Sequence, residues 1–221
     1  MGLALFALQA GAQNPDIAAK CPEAVREQAQ LQSRKPPRPA PATVTRPALR
    51  QNLLLMAKHD QEARASLRST GGRIDPTTPA GMRLEEVDSA NLKRLKHIVA
   101  QDGFPTAQMV GLDGVDAAWL LAIHAAADPD FQEEVLKLTA DHVRRGEIMS
   151  DQVAMLTDDL LTGRGKKQRY GTNYELRDGE LYPAAIEDEA NVDARRREVG
   201  LLSLANDTCL ARVFFVTPAK Q

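Results

Sequence analysis

Between Pro47 and Arg68 the apolar residues Leu49, Leu53, Met56, Ala63 and Leu67 recur at spacings of three, four and seven, which sets them on one stripe of a long α-helix with proline in its first turn. A stripe of that length is costly to leave in water, so the helix demands partners with apolar faces of their own. The sequence downstream supplies them. After a Gly/Pro/Thr loop, STGGRIDPTTPAG, a second helix is expected with Asp88 as its cap and Leu92, Leu95 and Ile98 as its packing face, stopped by Gly103 and Pro105. GLDGVDAAWLLAIHAAAD reads as a third, capped by Asp113, with Ala117, Leu120, Leu121 and His124 on one buried face. Asp128 and Pro129 open a fourth, along which Phe131, Val135, Leu138 and His142 follow before Gly146 stops it, and Ser150 caps a fifth that runs through Leu161. Connections this short favour antiparallel neighbours, so the fold class is mainly α, an antiparallel helical bundle.

One stretch breaks the helical pattern. In KKQRYGTNYELRDGEL, residues 166–181, Tyr170, Thr172, Tyr174 and Leu176 alternate at period two, and Asp178-Gly179 is a hairpin turn signal before Leu181 and Tyr182. A lone hairpin is marginal in water, so this small β-hairpin is expected to pack on the helices at one end of the bundle. Tyrosine suits such a place, because its ring can bury while its hydroxyl reaches a polar partner. A helix over EDEANVDARRREVG and a short apolar tail close the chain.

The first twelve residues, MGLALFALQAGA, are an apolar run ending in the small-x-small pattern of Ala10-Gly11-Ala12, without a basic stretch before it. They read as the remnant of a signal peptide, which implies a periplasmic or secreted protein, the alternative being a cytoplasmic one with an ordinary apolar N-terminus. The run is too short to span a bilayer, and no integral membrane segment is expected elsewhere. Residues 13–46, ending in SRKPPRPAPATVTRP, read as an extended, disordered, Pro-rich tether, leaving residues 47–216 as a single helical domain. A hydrophobic content of 43% is enough to give that domain a core. A formal net charge of -2 provides no general field for nucleic acid, so the partner is expected to be a small molecule or a protein recognised locally. Cys21 and Cys209 cannot build a zinc site by themselves, and they can pair only if the chain is exported; with Cys21 in the tether, the expectation is that they do not.

Three helices carry an ionisable group on or beside an apolar face. Asp60 lies in line with Leu53, Met56, Ala63 and Leu67, and burying it is costly unless something pairs with it; Arg64, one turn on, is the local candidate. His124 shares a face with Leu120 and Leu121, where a histidine is more often a satisfied core residue than a base, and Asp158 borders the buried face of the fifth helix. His124 and Asp128 form an H-x-x-x-D pair, but two ligands are too few for a closed metal site and Asp128 has a capping role, so neither metal nor cofactor is expected. GRGKKQRYGT lacks the spacing of a phosphate loop.

Five motifs, DQEAR (60–64), LKHIVAQDGFPT (95–106), HAAADPDFQ (124–132), GKKQRYGTNY (165–174) and IEDEANVDARRREVGL (186–201), together resemble a widespread bacterial family catalogued only as a domain of unknown function. Its members typically read D-Q-x-x-R, L-K-x-I-I-x-x-x-G-W-P-T, Q-H-A-D-x-D-P-x-F-Q, L-x-D-R, G-K-x-Q-x-Y-G-T-Q and I-x-D-P-x-x-V-D-x-x-R. The resemblance covers roughly residues 47–205 and points to Asp60, Gln61, Arg64, His124, Asp128, Asp158, Gln168, Tyr170, Gly171, Thr172, Asp188 and Arg196. The chain departs from the pattern at Ile123 and Ala126, where the family has Gln and Asp beside its histidine, at Asp159 in place of Arg, and at Asn173 in place of the last Gln, which makes it a divergent member.

From these residues the expected site is a polar pocket shared by Asp60, His124, Asp158 and the hairpin. His124 would act as general base or acid, Asp60 or Asp158 would orient it, and Tyr170 would donate to a substrate oxygen. Gln61, Arg64, Gln168, Thr172 and Arg196 would bind the substrate, a small polar molecule undergoing a hydrolytic or lyase-type reaction. The other readings are a non-catalytic exported binding module, and a buried polar network that only fixes the packing.

Overall fold

The computed structural model describes residues 15–35, 37–38, 40–69, 75–178 and 180–216, so the expected signal-peptide remnant at 1–12 lies outside the described residues. In chain order these residues form α1 (Pro15–Lys20), α2 (Pro22–Arg34), α3 (Pro47–Ser69), α4 (Pro79–Asp102), α5 (Ala107–Ile123), α6 (Pro129–Leu138), α7 (Ala140–Arg144), α8 (Ser150–Gly163), β1 (Tyr174–Arg177), β2 (Glu180–Pro183), a 3-10 turn (Glu189–Asn191), α9 (Val192–Glu198) and α10 (Leu204–Val216). The protein is mainly α with one two-stranded antiparallel hairpin. Its chain divides into two compact units rather than the single domain expected over 47–216: a first unit, residues 38–149, and a second made of residues 1–37 together with 150–221.

In the first unit α3, α4 and α5 pack on one another. Leu53, Met56, Ala63 and Leu67 bury the α3 stripe as its periodicity requires, Ala63 and Leu67 sharing a cluster with Leu84 and Val87 of α4, while Val110, Val115, Ala118 and Trp119 bury α5. The cap of α4 is Thr78, ten residues before the expected Asp88. Thr78 accepts the Gly81 N–H at 3.1 Å and Pro79 follows in the first turn, a complete start signal that leaves Asp88 in mid-helix. α5 likewise starts early, at Thr106, and bends at Gly111 (φ 75°, ψ 167°); Asp113 then accepts the Gly114 N–H at 2.9 Å just past the bend. Asp128 caps α6 through the Phe131 N–H at 3.0 Å, as expected. The helix that should have continued to His142 stops at Leu138, because the buried Thr139 hydroxyl turns back onto the carbonyls of Val135 and Leu136, and His142 falls on the short α7.

The second unit corrects the reading of residues 13–46 as a tether over residues 15–34, which are helical, whereas the described residues from 35 to 46 form no helix or strand. Pro15 and Pro22 stand in the first turn of α1 and α2, where the missing N–H costs no helical bond, and Ile17, Cys21, Ala24 and Gln28 recur at spacings of four, three and four and are buried. Those short stripes were masked in the sequence by the polar residues between them and by the prolines that follow. Cys21 is bonded to Cys209, again against expectation, because the closing apolar tail is the helix α10 and brings its sulfur to α1 and α2. In the hairpin Leu176 pairs with Leu181 and Arg177 with Glu180 across Asp178, whose φ of 51° supplies the turn. β2 lies on α10, with Arg212 Nε donating to the Leu181 carbonyl at 3.0 Å.

Candidate functional site

The polar residues singled out by sequence fall into two groups, one in each unit. In the first unit α3 presents Asp60 with no exposed surface, one turn before Arg64, and the end of α5 presents His124. Asp60 Oδ1 lies 2.9 Å from His124 Nδ1, and Gln61 Nε2 donates to Asp60 Oδ2 at 2.8 Å. Arg64 Nε is 3.3 Å from both Asp60 oxygens and 3.0 Å from the same His124 Nδ1, while its Nη2 donates to Asp88 Oδ1 of α4 at 2.8 Å. One ring nitrogen cannot both donate to Asp60 and accept from Arg64. A bare lone pair facing a carboxylate at this distance is repulsive, whereas the Arg64 N–H has the two Asp60 oxygens to turn to, so the proton belongs on Nδ1 and Nε2 is the basic edge of the ring.

Burial alone would push the Asp60 carboxyl up, but the His124 hydrogen bond and charge, the Arg64 charge and the Gln61 amide together hold it below the usual carboxylate range. Asp88 goes the other way. Burial raises it, the Asp60 charge adds to that, and Arg64 and His124 only partly offset the rise. Two carboxylates bridged by one guanidinium are thus driven apart in acidity, a pattern found where one group holds charge and the other handles protons. The side chains of His124, Arg64 and Asp88 keep 12%, 15% and 29% of their surface exposed, so all three reach solvent above a wholly enclosed Asp60. Asp128 does not pair with His124; it binds Lys96 at 2.5 Å in addition to capping α6. Among the described residues no three His, Cys, Asp or Glu side chains gather so as to hold a metal ion.

Sequence reasoning missed two members of this neighbourhood. Asp88 sits in register with Leu84, Asn91 and Leu95, a carboxylate on an apolar stripe, which is the same signal that drew attention to Asp60. Gln132 is buried and donates to the carbonyls of Ala122 and Ile123 at 3.0 and 2.9 Å, satisfying the end of α5 and fixing the approach to His124. A glutamine four residues past a helix-capping Asp carries no such signal in isolation.

In the second unit the fully buried Asp158 of α8 collects a loop. It accepts the backbone N–H groups of Arg169 (2.7 Å), Tyr170 (3.0 Å) and Thr172 (3.0 Å) and the Thr172 hydroxyl (2.9 Å). This is why β1 starts at Tyr174 and not at Tyr170: the N–H groups expected to join the ladder point at a carboxylate. Gln168, also fully buried, acts as an extra peptide group, donating to the carbonyls of Asn173 and Ala184 and accepting the Asn173 N–H. Arg196, with no exposed surface, donates to the carbonyls of Leu202, Tyr170 and Gly171 and pairs with Asp207 at 2.7 Å. The Tyr170 ring is half-buried beneath the Arg169 guanidinium, 5.8 Å from its centroid. Asp188 holds Asn191 and Arg195.

Gly171 is the tightest point of that loop. Its φ is 73°, and a Cβ there would come within 2.8 Å of Ile186 Cδ1 and 2.9 Å of Leu204 Cδ1. Gly171→Ala is expected to cost about 1–3 kcal/mol from the left-handed backbone and the crowding together. Urea unfolding followed by tyrosine fluorescence reads the change, since Tyr170, Tyr174 and Tyr182 all belong to this unit.

Searches of curated proteins and of solved structures return no match. A family profile does match, over residues 47–213, and that span holds both the Asp60–Arg64–His124 cluster and the loop gathered on Asp158 while leaving out α1 and α2. Through that shared region the chain belongs to the family of unknown function DUF6624.

Proposed function

We propose that the protein is an acid–base enzyme acting on a small polar molecule, with His124 as the general base. The observation that carries this reading is a wholly buried Asp60 carboxylate 2.9 Å from Nδ1 of a histidine that still reaches solvent. Asp60 fixes the tautomer and steadies the imidazolium formed when Nε2 takes a proton, Arg64 bridges the two carboxylates and offers a cation to an anionic or carbonyl oxygen, and Asp88, with its raised proton affinity, is the candidate for returning a proton. Gln61 positions Asp60. In this reading Asp158, Gln168, Thr172 and Arg196 serve the fold of the second unit, since their bonds go to backbone, to one another and to Asp207. The disulfide supports a periplasmic or secreted location, because such bonds persist in oxidising compartments. No helix among the described residues is long and apolar enough to cross a membrane.

A second reading, a non-catalytic binding module, is favoured by Ile123 and Ala126 standing where the resemblance places polar neighbours of the histidine. The two separate in one experiment. A library of small polar metabolites is screened by thermal shift against the wild type and His124→Gln, and each hit is followed by NMR for turnover. The enzyme reading expects at least one hit to be consumed, with the rate falling about 100–10,000-fold in the variant. Ligands that bind both proteins equally and are never converted would overturn it in favour of the binding module.

A further inference from the structure

The helices that the family match leaves out, α1 and α2, are fastened to α10 in three ways. Cys21 is disulfide-bonded to Cys209 across 188 residues of chain. Ile17, Cys21 and Ala24 share an apolar cluster with Leu202 and Leu210, and Val25, Leu31 and Val213 pack against it. Glu27 accepts the Ser203 N–H at 3.0 Å, the Ser203 hydroxyl at 2.9 Å and the Asn206 amide at 2.6 Å, so a carboxylate of α2 satisfies the backbone where α10 begins.

The stretch gripped in this way, Leu202 to Asp207, is the one that holds Arg196. The guanidinium donates to Leu202 O at 2.5 Å and to Asp207 at 2.7 Å, and from there to the carbonyls of Tyr170 and Gly171. Those carbonyls belong to the loop whose N–H groups Asp158 collects. A continuous set of bonds, all inside the second unit, therefore runs from the disulfide through the start of α10 and Arg196 to residues 169–172. Helices of 6 and 13 residues hold little structure unaided, so α1 and α2 depend on these attachments, and the covalent one is the attachment that a thiol reductant opens selectively.

We propose that the Cys21–Cys209 disulfide is a redox latch: closed, it keeps α1 and α2 on α10 and the loop 169–172 ordered; opened by a dithiol reductant, it releases the helices and loosens the loop. The thiolate of the dithiol attacks Cys209 Sγ, which is half-buried where Cys21 is 3% exposed, and the S–S bond breaks with Cys21 leaving as a thiolate that takes up a proton. The second thiol of the reductant then attacks the mixed disulfide, and Cys209 leaves as a thiol. Two electrons and two protons pass to the protein, and the reductant ends as its own disulfide.

Hydrogen–deuterium exchange on the full chain, oxidised and after treatment with dithiothreitol, tests this, with reduction verified by a mass gain of about 2 Da for the two protons. The expected result is at least about a tenfold loss of protection across residues 17–34 and in peptides covering 169–172, with α3, α4 and α5 unchanged. The double variant Cys21→Ser, Cys209→Ser should show the reduced pattern without dithiothreitol; should it fail to accumulate, the reduced wild type carries the test alone. Unchanged protection at 17–34 in verified reduced protein overturns the latch. Release of 17–34 with no change at 169–172 overturns the transmission through Arg196. Loss of protection throughout the chain overturns both, since the bond would then be a global brace.

Discussion

Asp158→Ala is expected to destabilise the protein by about 3–5 kcal/mol, with the tyrosine signal of the second unit falling first. Asp158 accepts three backbone N–H groups from one short loop, at 2.7 to 3.0 Å, and its surface is fully covered. Alanine removes the charge and the acceptors together, leaving those donors in a place water reaches poorly, where each unpaired group costs about 1–3 kcal/mol. Loop rearrangement recovers part of that sum, which is why the expected loss is less than three full penalties. Asp158→Asn keeps the volume and one acceptor oxygen, so its loss should fall between the wild type and the alanine variant. Urea unfolding monitored by tyrosine fluorescence and by far-UV circular dichroism gives both values. A loss under about 1 kcal/mol for the alanine variant would mean that the loop does not depend on the carboxylate.

Asp60→Ala should be nearly as damaging, by about 3–5 kcal/mol, because it leaves the Arg64 guanidinium and the His124 Nδ1–H facing a buried gap. Trp119 is the single tryptophan and lies in the first unit, so its fluorescence reports on this change. The pH dependence separates Asp60 from Asp88. A carboxyl held below its ordinary value contributes stability that is present above the unfolded value, near pH 4, and is lost as pH falls through the depressed folded value. Asp60 therefore supports the fold at neutral pH and gives way only in acid. Asp88, raised by burial and by the Asp60 charge, has the opposite sign: its ionised form burdens the fold at neutral pH, and the burden lifts as pH falls through its raised folded value toward the ordinary one. Asp88→Asn should then change stability at pH 7 by less than about 1 kcal/mol, in contrast to Asp60→Ala. Melting curves of the two variants and the wild type between pH 3 and pH 8 decide it, and equal losses from both substitutions at pH 7 would reject the assignment of opposite roles.

What could be read from the sequence and what could not have separate physical causes. The α3 stripe, the Asp128 cap and the Asp178 turn were legible because each is a local signal, fixed by residues within one or two turns of one another. The strain of placing Asp60 among apolar residues was legible for the same reason, and so was Arg64 as its partner; His124 was named beside Asp60, but with Asp158 as an equal candidate to orient it, because a pairing across 64 residues leaves no local signal to choose between them. Errors arose where two local signals competed. Asp88 looks like a cap, but Thr78-Pro79 is a stronger one and wins. Tyr170 and Thr172 alternate like a strand, but a carboxylate twelve and fourteen residues earlier claims their N–H groups. Pro36, Pro37 and Pro39 make their neighbourhood read as unstructured, and that impression was carried too far back along the chain, over Ile17, Cys21 and Ala24, whose helical spacing shows only once a partner is known.

The division of the chain bears on how it is made. Residues 38–149 form one unit placed, in sequence, between the two halves of the other. During synthesis the inserted unit has its whole complement of residues once Met149 has emerged, whereas the host unit must wait for α10, whose Cys209 is separated from Cys21 by 188 positions. The early half of the host thus spends most of translation with a reactive thiol and an apolar stripe and no native mate, which makes the second unit the slower to mature and the more exposed to chaperones, proteases and premature oxidation.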